Sequence, residues 1–147
     1  VFIILIASIL GFSYNTLSPS GISIVSPYPR LKNEKDVFEP HVIDLREAFS
    51  LFSSGAVFLD AREPDEYYLG HIFGSRNLPY EELEKYSALL DSLPKDTTIV
   101  TYCDGEGCEL SLHLARELLK KGFWKVYAFY AGWNEWAKAG YPVDVGK

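Results

Sequence analysis

Two cysteines carry the most pointed chemistry in this sequence. Cys103 closes the apolar, β-branched run at residues 98–103 (TIVTYC), and the short stretch Asp104-Gly105-Glu106-Gly107-Cys108 follows it. Leucines recur at helical spacing from Leu110 onward (Leu110, Leu114, Leu118). A thiol set between a strand and a helix N-terminus faces the positive end of the helix dipole and converging backbone N–H groups. Both favour a thiolate, or the anion of a persulfide, over the neutral form. Gly105 and Gly107 give the loop the freedom to curl that tightly. Cys103 is therefore the candidate nucleophile. Cys108 has two readings: it resolves a persulfide or sulfenic acid on Cys103 into a disulfide, or it is a free thiol packed against the helix. Loop spacing alone leaves both open, because it does not set the Cα separation that a disulfide needs.

Other residues form a second group. Asp60 ends an apolar run (AVFLD, residues 56–60), and Arg62 follows two residues on, placed to make a charge-assisted pair at the strand end. Gly70 and Gly74 bracket His71-Ile72-Phe73, which predicts a turn with a demanding backbone. His71 is expected to brace that turn through its imidazole, with a role as catalytic base as the alternative. Trp133 and Trp136 read as core packing. His113 reads as a surface or packing residue, and His41 carries no signal. Cys103, Cys108 and His113 are spaced C-x4-C-x4-H, which matches no common zinc pattern, so no metal is expected.

The elements that must position these groups follow from periodicity. Residues 56–60, 98–103 and 125–130 read as buried strands, with a further strand end at residues 41–45. Residues 46–52, 65–69, 81–93, 110–121 and 133–139 read as helices, the fourth stopped by Gly122. Strands alternating with helices imply an α/β domain with a mainly parallel sheet, and sites in such sheets form at the carboxyl ends of strands.

Three ordered blocks over residues 42–143 resemble a single-domain rhodanese, a sulfurtransferase family. The first is Asp60-Ala61-Arg62 through Gly70-His71-Ile72-Phe73-Gly74-Ser75 to Asn77-Leu78-Pro79. The second is the strand and cysteine at residues 100–103. The third is Gly132-Trp133, Trp136 and Gly140-Tyr141-Pro142-Val143. The resemblance implies a three-layer fold with a parallel sheet of about five strands and helices on both faces. It also implies transfer of sulfane sulfur through a Cys103 persulfide, from a donor to a thiophilic acceptor, with no cofactor required. Asp104, Gly105, Glu106, Gly107 and Cys108 would form the active-site loop, with Asp60, Arg62 and His71 in support. Two alternatives stand beside it: a thiol–disulfide or redox-sensing module using Cys103 and Cys108, and an inactive module that only binds a partner. The loop departs from rhodaneses that use thiosulfate, which carry basic residues there. Asp104, Glu106 and Glu109 are acidic, and no Lys or Arg lies between Thr98 and Ala115. Thiosulfate is thus expected to be a poor donor. Some phosphatases on the same fold need an arginine six residues after the cysteine. Glu109 stands there, which excludes that activity.

The chain has 147 residues, 48% of them hydrophobic and 23% charged, enough for one domain with a real core. A net charge of −6 argues against nucleic acid as a partner. There is no methionine, so the chain reads as a processed form or a fragment. The first charged residue is Arg30, and residues 1–12 (VFIILIASILGF) are apolar except for Ser8. Pro/Gly/Ser-rich sequence follows at residues 18–21 and 26–29. The expectation is a truncated membrane anchor or signal remnant plus linker over residues 1–35, then a rhodanese-like domain over residues 36–147. It further implies a membrane-associated bacterial protein, tethered to the inner membrane on a side the sequence does not fix.

Overall fold

The computed structural model describes residues 38–146. The expected anchor and linker lie outside the described residues. Among those described, no helix is long and apolar enough to cross a membrane.

The chain alternates strands and helices: β1 (His41–Ile43), α1 (Leu45–Ser53), β2 (Val57–Asp60), α2 (Pro64–Leu69), β3 (His71–Ile72) and β4 (Arg76–Asn77) come first. A 3-10 segment (Tyr80–Tyr86) and α3 (Ser87–Asp91) follow. Then come β5 (Ile99–Tyr102), α4 (Leu110–Lys120), β6 (Val126–Phe129), α5 (Gly132–Lys138) and β7 (Val143–Asp144). Five strands form a parallel sheet in the order β1-β6-β5-β2-β4, while β3 and β7 pair antiparallel as a separate ribbon.

Side chains alternate across the sheet, and each face has its own core. Ile99 and Cys103 point toward Leu114, Ala115 and Leu118 of α4. Val100 and Tyr102 point the other way, toward Ala48 of α1 and Trp136 of α5. Trp136 is fully buried and touches the rings of Phe49, Phe52, Phe58, Phe129 and Tyr141. The architecture is thus α/β with helices on both faces of a five-stranded sheet, as the alternation predicts. β5 lies at its centre, so the end of β5 is where loops from both neighbouring strands converge.

Two expectations need correction. The single helix over residues 81–93 is instead a 3-10 segment running into one short α turn. Glu82 (φ −113°, ψ 16°) and Tyr86 (φ −102°, ψ 13°) both leave helical geometry, so the apolar side chains Leu83 and Leu90 reach the core from two pieces. The segment between Gly70 and Gly74 is not a bare turn, since His71–Ile72 is a strand paired with β7. Gly74 does adopt a positive φ of 71°. Gly70 is extended, and its requirement is space: a Cβ there would lie 2.8 Å from the Trp133 ring.

Candidate active site

β5 delivers Cys103 at its carboxyl end, fully buried. The loop turns at once. The Cys108 N–H donates to the Gly105 carbonyl at 3.0 Å, with Gly107 at φ 91°. This turn folds Cys108 back onto Cys103. The two are joined as a disulfide with a Cα separation of 6.5 Å, within the span such a bond requires. Cys108 is half-buried, on the solvent side of its partner.

The loop is held from the far side by α5. The N–H groups of Trp133 and Asn134, at the helix N-terminus, donate to the carbonyls of Cys103 (2.7 Å) and Asp104 (2.8 Å). In a trans peptide the carbonyl and the following N–H point in opposite directions. Anchoring these two carbonyls therefore turns the N–H groups of Asp104 and Gly105 away from α5. The approach is close enough that Gly132 (φ 62°) has no room for a side chain, since a Cβ would collide with backbone of Cys103, Asp104 and Gly105. Not every loop amide is free to face sulfur, because the Gly107 N–H donates to Tyr130 Oη at 3.1 Å. Two polar groups stand beside the Cys103 sulfur: the Cys108 carbonyl at 3.2 Å and the buried Ser111 hydroxyl at 3.7 Å, in the first turn of α4. Thr101 Oγ1 donates to the Ser111 carbonyl at 2.8 Å and pins that turn to β5.

Asp60 and Arg62 form the expected pair, fully buried, with Arg62 Nε and Nη2 both donating to the Asp60 carboxylate (Nη2 at 2.6 Å). The same guanidinium reaches the Gly70 carbonyl at 2.8 Å, lies over the Trp133 ring at 5.3 Å, and meets the Asp104 carboxylate at 3.3 Å. Burial alone would lower the Arg62 pKa. Its hydrogen bonds and charge interaction with Asp60 outweigh that and raise it above its already high ordinary value. The charge is thus permanent, and it meets the side chain of Asp104, the residue after Cys103. An open cleft of about 250 Å³ lies over it, lined by Arg62, Glu66, Leu69, Asp104, Trp133 and Asn134.

His71 is buried, stacked on Tyr67 (3.7 Å between ring centroids), with Nδ1 2.9 Å from the Tyr67 carbonyl. It belongs to the brace of the β3 ribbon and meets the Arg62 network only through the neighbouring Gly70 carbonyl. Tyr102 Oη ties that ribbon to β5, accepting from the Ile72 N–H and pairing with Ser75. Burial, with the nearby Asp60, pushes the Tyr102 phenol well above its usual range, so it stays protonated. His113 packs on Tyr80 and lies 3.6 Å from Glu109 at the surface. Glu106 is exposed. Among the described residues, no cluster of three or more His, Cys, Asp or Glu side chains is placed to hold a metal.

The rhodanese-like domain model matches residues 44–139. The chain belongs to the rhodanese-like domain family. A thiosulfate sulfurtransferase, GlpE, of Stutzerimonas stutzeri is 33% identical over 99 residues, covering 67% of this chain and 85% of that protein. The chloroplastic thiosulfate sulfurtransferase 16 of Arabidopsis thaliana is 29% identical over 113 residues, covering 71% and 92%. The solution structure of a rhodanese-like domain from Anabaena superposes with a TM-score of 0.58 at 30% identity, over 73% of this chain and 80% of that one. The fold of this rhodanese-like domain accordingly agrees with that of solved members.

Sequence reasoning missed three participants. Ser111 carries no motif, and only its place in the first turn of a helix whose N-terminus faces the loop could have marked it. Gly132 belongs to the third motif block, but its reason is contact with a loop far away in sequence. Trp133, read as core, is half-buried and presents its ring to the Arg62 guanidinium as well.

Proposed function

We propose that this rhodanese-like domain is a sulfurtransferase that carries sulfane sulfur as a persulfide on Cys103. The observation that carries the reading is the position of Cys103: the end of the central strand, with the loop backbone turned by α5 and the Ser111 hydroxyl beside the sulfur. Relatives named thiosulfate sulfurtransferases support the reaction class. In the step proposed, the Cys103 thiolate attacks the outer sulfur of a donor. For thiosulfate the S–S bond breaks and sulfite leaves with its electron pair. The persulfide anion is stabilised by the loop N–H groups and the start of α4. A thiophilic acceptor then attacks the outer sulfur and returns Cys103 as thiolate. Neither half of the cycle needs a metal or a bound cofactor.

Sulfur transfer by single variants tests the assignment. Cys103→Ser is expected to abolish transfer from every donor, while Cys108→Ser retains it. Transfer surviving Cys103→Ser would refute the role given to this residue.

A second reading has its own observation. Cys103 and Cys108 are paired as a disulfide, which favours a dithiol redox module. Such a module would cycle between dithiol and disulfide without gaining sulfur, and Cys108→Ser would remove its activity.

A further inference from the structure

We infer that Cys108 is a resolving cysteine that turns the domain into a thiol-driven sulfane-sulfur reductase, releasing sulfide when no acceptor takes the sulfur. The inference rests on the Cys103 persulfide proposed above. Three features of the loop carry it. The Gly105–Cys108 turn brings the two cysteines to a Cα separation of 6.5 Å with their sulfurs bonded. The Cys103 sulfur is held in place, 3.2 Å from the Cys108 carbonyl and 3.7 Å from the Ser111 hydroxyl. Cys103 is fully buried, whereas Cys108 is half-buried.

The step balances within the chain. The Cys108 thiolate attacks the inner sulfur of the Cys103 persulfide. The bond between inner and outer sulfur breaks, and the outer sulfur leaves with the electron pair as hydrosulfide, taking up the proton that Cys108 gave up. The two cysteine sulfurs are oxidised to the disulfide, and the sulfane sulfur is reduced to sulfide. Return to the dithiol needs two equivalents of an external thiol. The first attacks the accessible sulfur, that of Cys108, and Cys103 departs as the thiolate favoured by its surroundings. The second thiol resolves the mixed disulfide on Cys108. Each cycle thus leaves Cys103 ready for the next donor.

The test starts from the fully reduced chain, loaded with inorganic polysulfide, freed of excess donor and kept without added thiol. Intact mass and free sulfide are followed together. The wild-type chain is expected to lose its added sulfur, release an equimolar amount of sulfide and end two hydrogens lighter. Cys108→Ser and Cys108→Ala are expected to keep the added sulfur on Cys103 and lose the sulfide release until a thiol is added. Limiting glutathione added to the oxidised wild-type chain should give a mixed disulfide on Cys108. A wild-type chain that holds its added sulfur as long as the two variants do, or glutathione captured on Cys103, would overturn the inference and leave the persulfide intact. Failure of wild type and both variants to gain sulfur would overturn the persulfide reading itself, and the inference with it.

Discussion

At the scale of residues, the electrostatics of the site turn on how Arg62 divides its charge. Asp60 holds it from within the core, and Asp104, whose side chain is 45% exposed, takes a further share at the edge of the cleft. Asp104 and Glu106 then leave the approach to Cys103 acidic, which opposes a dianion such as thiosulfate. Placing Arg at both positions should improve thiosulfate use, through a lower KM, and more strongly at low ionic strength because exposed charges are screened by salt. Steady-state rates at two salt concentrations check this. Equal use of thiosulfate by the wild-type and doubly substituted chains would contradict it.

At the scale of elements, the end of β5 works because α5 can come so close. Gly132→Ala sets a Cβ against three backbone groups of the loop in a left-handed conformation. It should cost about 2 kcal/mol or more of stability, measured by denaturant unfolding, and slow sulfur transfer by displacing the Cys103 and Asp104 carbonyls from their donors. An unchanged midpoint and rate would show that the contact is dispensable. Much of this level was legible in the sequence. The run at residues 98–103 is β-branched and bounded by a glycine-bearing loop, and the leucines from Leu110 share one helical stripe, so strand, loop and helix follow from local pattern. The Asp60–Arg62 pair is legible for the same reason, being two residues apart. What was hidden depends on contacts between distant parts of the chain. Arg62 meets Asp104 across 42 residues, Gly107 meets Tyr130 across 23, and Gly132 is set by a loop that precedes it by a strand and a helix. The break at Glu82 and Tyr86 was hidden too, because apolar spacing there is compatible with one continuous helix, and Leu83 and Leu90 join the same core from either one piece or two.

At the scale of the whole molecule, the fold presents a buried cysteine sulfur at the end of the central strand, bonded to a half-buried cysteine on the loop, and a cleft lined by Arg62 and by Asp104, the residue after Cys103. The uncharged residues 1–12 precede a domain whose family match begins only at residue 44. A membrane tether over residues 1–35 would make their deletion leave the melting temperature nearly unchanged and remove association with membranes, checked by thermal unfolding and by fractionation. A large fall in melting temperature would make that segment part of the fold. The claim on which the rest depends is that Cys103 carries sulfane sulfur. Its most direct test is peptide-level mass spectrometry of the Cys108→Ser chain after exposure to thiosulfate and to inorganic polysulfide in parallel. One added sulfur on the peptide containing Cys103, removed by a thiophilic acceptor, is the predicted result; a chain that gains no sulfur there from either donor contradicts the account.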